Sequence, residues 1–169
     1  NWLPRRNHRD RRRMSLPYLK ALTEDQLRGV GIPAPWSFGY LDMVRYGEID
    51  MLQHVNNGVY LKWFENLRVR YFIERGIWTS DGNQPKVVVR NASLHFRAEV
   101  KLGQDYILTA RTTKMGNTSF TMEYGVWTEN GLVTTGDAVL VSIDGNGQKC
   151  ALPDTARQVF SSMDGAEQS

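Results

Sequence analysis

Cysteine is almost missing from this chain of 169 residues, where Cys150 stands alone. One thiol excludes an internal disulfide, and no metal-type Cys/His spacing surrounds it. An incidental thiol is the favoured reading. No run reaches the roughly 18–20 apolar residues of a membrane span. No basic n-region followed by an apolar run marks a secretory signal, so the expected compartment is the cytoplasm. Neither a Walker-type loop nor a dinucleotide fingerprint is present. What remains is 41% hydrophobic and 23% charged, an ordinary globular composition long enough for one sizeable core.

Acidic charge is scarce only at one end. Residues 1–13 hold six arginines (Arg5, Arg6, Arg9, Arg11, Arg12, Arg13) against Asp10, so the formal net charge of +3 belongs to an arm. The rest of the chain carries 15 basic and 17 acidic side chains. Such an arm could meet nucleic acid, anionic lipid or an acidic protein surface. Apart from Trp2 it lacks the interleaved aromatics of a stacking site. A dispensable or subunit-clasping extension is favoured, and nucleic acid is not an expected partner. The chain opens on Asn1, and Met14 is a candidate initiator.

Three zones follow: an N-terminal extension over residues 1–37, a domain over 38–160 and a tail over 161–169. In the extension, Thr23 and Gln26 have capping-box spacing, and the Gly/Pro cluster from Gly29 to Pro35 stops the short helix between them. Residues 38–47 read as a strand with imperfect alternation, and 48–56 as a polar loop. Tyr60, Trp63, Phe64, Leu67 and Tyr71 then recur at helical spacing as one broad apolar stripe. Asn56 or Asn57 supplies its N-cap and Gly76 its stop.

Beyond Gly82 the pattern is β: Lys86–Phe96, Tyr106–Thr113, Thr118–Thr128 and Leu132–Ile143. Gly116-Asn117 and Asn130-Gly131 mark tight turns, and a short helix is expected from Pro153 to Phe160. One long apolar helix followed by an antiparallel meander predicts an α+β fold, a sheet wrapped around a central helix.

One segment carries more. Tyr46-x-x-x-Asp50-x-x-x-His54-Val-Asn-Asn-x-x-Tyr60, continued by Trp63-Phe-Glu-Asn-Leu-Arg68, resembles the 4-hydroxybenzoyl-CoA thioesterase-like branch of the hotdog superfamily. The His-Val-Asn-Asn run is similar to that of long-chain acyl-CoA and plant acyl-ACP thioesterases. Ala92-Ser-Leu-His-Phe96 resembles the family's long second strand, and Leu102-Gly103 and Gly116-Asn-Thr-Ser119 resemble its turns. The resemblance spans about residues 38–160. It implies a hotdog fold with five or six antiparallel strands. It also implies homodimers with active sites at the subunit interface, and leaves open their further association into tetramers. The implied activity is hydrolysis of acyl-CoA, or of acyl-ACP, with no metal or redox cofactor. A noncatalytic acyl-thioester binder is the rival from another class.

By the same resemblance, Asp50 attacks the thioester or activates water, and the backbone amide of Asn57 polarises the carbonyl. The chemistry is coherent. A carboxylate serves as nucleophile or general base. The first amides of a helix lack intrahelical partners and carry partial positive charge. One such donor aimed at an oxyanion is commonly worth roughly 3–4 kcal/mol. The plainer reading of Asp50 is a loop Asx residue, which the surrounding motif outweighs. His54 supports, and a structural pin is favoured over proton transfer. Leu52 occupies the position of the asparagine in plant acyl-ACP enzymes, which removes a three-residue mechanism. Tyr60 is read first as core and second as substrate-binding. Arg90, Arg97 and Lys101 are candidates for the phosphates of coenzyme A, with a solvated sheet face as the alternative. Glu65 ranks well behind Asp50, as one half of a pair with Arg68.

Overall fold

An aromatic face decides where everything else sits. In the computed structural model, which describes residues 16–82 and 84–169, the helix α2 (Asn57–Glu74) buries Tyr60, Trp63, Phe64, Leu67, Tyr71 and Phe72 to 4% exposure or less. The five residues of the sequence stripe are all in this set. Phe64 stacks on Tyr124 at 4.6 Å between centroids, and Trp63 stacks on Tyr106 at 4.0 Å. Gly136 leaves room for the helix, since a Cβ there would come within 2.8 Å of Phe64 and 3.0 Å of Leu94.

The surface under α2 is a six-stranded sheet. Its strands are β1 (Gly39–Met43), β2 (Lys86–Phe96), β3 (Asp105–Met115), β4 (Ser119–Thr128), β5 (Gly131–Ile143) and β6 (Glu167–Gln168). They run in the order β1-β3-β4-β5-β2, antiparallel throughout, while β6 joins β3 in parallel at Lys114 and Met115. This is the hotdog arrangement expected from the sequence. The tight turn at Asn130-Gly131 closes β4 onto β5, with Gly131 at φ +90 where a side chain would be strained.

The imperfect alternation of β1 has a cause. Tyr40, Tyr106 and Leu108 face α2, while Leu41 and Ile107 face a second cluster formed by Leu16, Leu22, Leu27, Ile32, Trp36 and Trp127. Both faces of β1 and β3 are therefore covered, and a strand buried on both faces does not alternate. Residues 16–37 provide the outer cover. Within them α1 (Glu24–Gly29) starts on Thr23, whose Oγ1 accepts from the Gln26 amide while Gln26 Oε1 accepts from the Thr23 amide. The Arg-rich run 1–13 lies outside the described residues.

The helix α3 (Asp154–Asp164) closes the other end. Asp164 is buried there, accepting from the Thr112 amide at 2.8 Å and from the Tyr71 hydroxyl, while its Oδ1 has no partner among the described residues. Desolvation raises its pKa above the ordinary 3.8, against the lowering pull of those donors. A carboxyl whose folded pKa is raised contributes stability below its unfolded pKa, and that stability is lost as pH rises through the folded value. Urea unfolding across pH should show this slope in the wild type. Asp164→Asn should remove it, so that the wild type loses stability relative to the variant as pH rises from below 3.8. Parallel profiles would show that Asp164 does not titrate in this way.

Candidate active site

The stretch 48–56, expected as a polar loop, is a small hairpin with defined ends. The Glu48 carbonyl accepts from the Asn56 amide at 2.9 Å, Ile49 bridges Val55, and the Asp50 amide donates to the His54 carbonyl at 2.8 Å. A turn closes the tip, with Gln53 donating to the Asp50 carbonyl and held at φ +65. Asp50 also organises this turn with its side chain. Its Oδ1 accepts from the Leu52 amide at 2.8 Å and from the His54 amide at 3.4 Å. Its Oδ2 takes no hydrogen bond among the described residues. The Asx role and a chemically available oxygen therefore coexist in one carboxylate.

The hairpin leads directly into α2. Asn56, not Asn57, is the N-cap, and its Oδ1 accepts from the Gly58 amide at 2.9 Å. The Val59 amide donates to the Asn56 carbonyl. The Asn57 amide is left without a partner among the described residues. A carboxylate oxygen and a helix-start amide are thus held on one short, hydrogen-bonded unit.

His54 ties that unit to the crossing after β2. Its Nε2 lies 2.7 Å from Glu99 Oε2, and its backbone bridges Lys101, whose Nζ lies 3.0 Å from Glu99 Oε1. The hydrogen bond from Lys101 holds the Glu99 carboxyl below its ordinary range. Lys101 is therefore beside the hairpin, already engaged with Glu99. Arg97 is exposed in the same crossing. Arg90 stands on β2 at the register shift between Val89 and Asn91. Tyr60 is 2% exposed, its ring packed edge-on against Trp63 and Phe96. Glu65 pairs with Lys62 at 3.2 Å, where the sequence suggested Arg68; Arg68 instead reaches the Tyr124 hydroxyl.

Sequence reasoning passed over a second set of residues. Trp63 Nε1 donates to Glu48 Oε1 at 2.9 Å, and the Arg45 amide donates to Glu48 Oε2 at 2.8 Å. The Arg45 guanidinium grips both oxygens of Asp42 at 3.0 and 3.1 Å. These bonds raise its pKa further. Beside these groups a cavity of about 400 Å³ opens between α2, β1 and β3, walled by Tyr40, Trp63, Leu67, Tyr106 and Leu108. The signal in the sequence was the indole of Trp63, which needs an acceptor when buried.

Comparison with known proteins gives a consistent result. The family model described as Thioesterase superfamily matches residues 52–135. A thioesterase-superfamily crystal structure from Jannaschia sp. CCS1 shares 34% identity at a TM-score of 0.84, covering 89% of this chain and 98% of the other. A thioesterase from Thermus thermophilus, complexed with coenzyme A and zinc, shares 31% identity at a TM-score of 0.66, covering 75% of this chain and 94% of the other. The uncharacterized protein YsmA of Bacillus subtilis is 28% identical over 110 residues, 63% of this chain and 74% of its own length.

Because Asn56 caps the helix that presents the Asn57 amide, Asn56→Ala should destabilise the protein by about 1 kcal/mol in urea unfolding. A change near zero would show that another group takes over the Gly58 amide.

Proposed function

Because the chain belongs to the thioesterase superfamily, we propose that it hydrolyses an acyl-CoA to the free carboxylic acid and coenzyme A at the Asp50 hairpin. The observation that supports this reading most is that Asp50 Oδ2 and the Asn57 amide, neither with a hydrogen bond among the described residues, belong to one hydrogen-bonded hairpin and the helix it leads into. Thioester cleavage needs an attacking oxygen and a donor for the carbonyl oxygen, and the two groups supply one each.

Two routes are open to Asp50. Its carboxylate adds to the thioester carbon, expels the thiolate and leaves an anhydride that water then splits. Alternatively it takes a proton from water, whose oxygen adds to the same carbon as the thiolate departs. In both, the negative charge on the carbonyl oxygen meets the Asn57 amide and the positive end of α2. His54 holds the hairpin in place through Glu99. Lys101 beside the hairpin, Arg97 in the same crossing and Arg90 on β2 are the cations offered to carrier phosphates. Coenzyme A is favoured over acyl carrier protein as carrier, in keeping with the coenzyme A bound by the Thermus thermophilus thioesterase.

A dimer completes the reading. β2 is an 11-residue edge strand, exposed along most of its length, with Val88 and Val89 at 42% and 47% exposure. An exposed edge of that length is a pairing surface. A second copy joined there would continue the sheet.

Asp50→Asn should keep its fold and lower kcat by roughly 10²–10⁴-fold across a panel of acyl-CoAs read by free thiol. Asn57→Pro is the matching test of the amide. Position N1 tolerates proline, and Asn56 at φ −62 and ψ 138 already has the conformation a following proline requires. The loss of that one N–H should lower kcat by roughly 10²–10³-fold. Wild-type turnover in either variant removes that residue from the mechanism, and acyl-CoA binding without turnover in the wild type would make the protein a binder. Val89→Lys should shift the chain toward monomer in size-exclusion chromatography with light scattering; an unchanged mass would place the interface elsewhere.

A further inference from the structure

Resting on the reading of Asp50 as the reacting carboxylate, we infer that Glu48 is the positioning residue that sets Asp50 against the start of α2. Glu48 touches three separate parts of the site with three separate acceptor atoms. Oε1 receives the Trp63 indole from the second turn of α2, Oε2 receives the Arg45 amide from the turn after β1, and the backbone carbonyl receives the amide of the N-cap Asn56. The last bond closes the base of the hairpin, and Asp50 is two residues away on that hairpin.

The rest of the chain of contacts anchors this point to the sheet. Arg45 is held bidentately by Asp42 of β1, and the Tyr106 hydroxyl of β3 donates to the same carboxylate at 3.4 Å. Trp63, the donor from α2, is itself fixed by stacking on Tyr106. Glu48 is therefore the junction between a rigid sheet edge and a rigid helix.

Packing alone does not fix it. The Glu48 side chain is 19% exposed and borders the cavity between α2, β1 and β3. With open space on one side, its hydrogen bonds set its position. An apolar side chain of similar size would leave the Trp63 indole and the Arg45 amide without their acceptors. A buried donor left unmade carries its full desolvation penalty, so the turn and indole would move to recover partners. Movement of the reacting carboxylate by about 1 Å can cost up to roughly 10²-fold in rate.

The experiment compares Glu48→Leu, Glu48→Gln and Trp63→Phe by steady-state kinetics on one acyl-CoA. It also follows the indole NH resonances in 15N-tryptophan-labelled protein. Glu48→Leu should lower kcat by roughly tenfold or more while KM changes by less than about threefold. The Trp63 indole resonance, assigned by its disappearance in Trp63→Phe, should shift in Glu48→Leu. Glu48→Gln keeps one acceptor oxygen and should recover part of the rate. Trp63→Phe keeps a smaller aromatic ring against Tyr106, loses the donor and should lower kcat in the same direction, which keeps the test open if Glu48→Leu fails to fold. Wild-type kcat in folded Glu48→Leu or in Trp63→Phe, or equal losses in kcat for Leu and Gln, would overturn the inference. The two readings fail differently. An active Asp50→Asn removes the carboxylate mechanism itself, whereas an inactive Asp50→Asn beside a fully active Glu48→Leu removes only the role of Glu48.

Discussion

The burial of one aromatic helix face governs this molecule. Trp63, Phe64, Leu67 and Tyr71 cannot remain in water, and each large ring is worth on the order of 2–3 kcal/mol when covered. In this chain the antiparallel sheet covers that face. The close approach then demands a residue without a side chain at Gly136, where Phe64 comes down onto β5. Stacking of Phe64 on Tyr124 and of Trp63 on Tyr106 fixes the rotation of the helix, not only its depth. Once that rotation is set, the direction of the helix N-terminus is set as well.

The candidate site depends on this. An amide at a helix start is useful only if it points to a defined place, and a rigidly docked helix gives it one. The hairpin 48–56 brings a carboxylate to the same end by hydrogen bonds that close on the N-cap. Burial thus acts at long range: the aromatic contacts orient the helix, the helix orients the amide, and the hairpin locates Asp50 relative to it. The polar contacts of Glu48 and His54 add lateral restraint from the sheet edge and from the crossing after β2.

A second layer explains features that the helix does not. Residues 16–37 bury Leu27, Ile32 and Trp36 against the outer face of β1, β3 and β4. That cover makes the β1–β3 half of the sheet two-sided. By contrast β2, at the other edge, is exposed on nearly every residue. The sheet is asymmetric, with one edge covered by its own chain and the other left open, and an open long edge is where a second copy adds most.

Much of this was legible in the sequence. The helix stripe, the N-cap region, the bounds of β2 and the Asn130-Gly131 turn follow from periodicity and local turn chemistry, which act over a few residues. The Asp50 and His54 motif was legible as a pattern, and the Thr23–Gln26 capping box as a spacing. The imperfect alternation of β1 could not be resolved in advance, because it records what covers each face and not what the strand prefers. The partner of Glu65 came out as Lys62, since side-chain reach on a helix is settled by which neighbour stays free, and Arg68 was drawn to Tyr124. Glu48 was invisible for the same reason: its three donors lie 3, 8 and 15 residues away, and only the docked helix brings them together. Sequence alone determined the long helix, the four long strands after it and which carboxylate carried the motif; the hairpin at 48–56 and β6 appeared only in the structure. Tertiary structure decided what holds that carboxylate, because hydrogen bonds between distant residues form only after burial of the aromatic face has fixed where each segment lies.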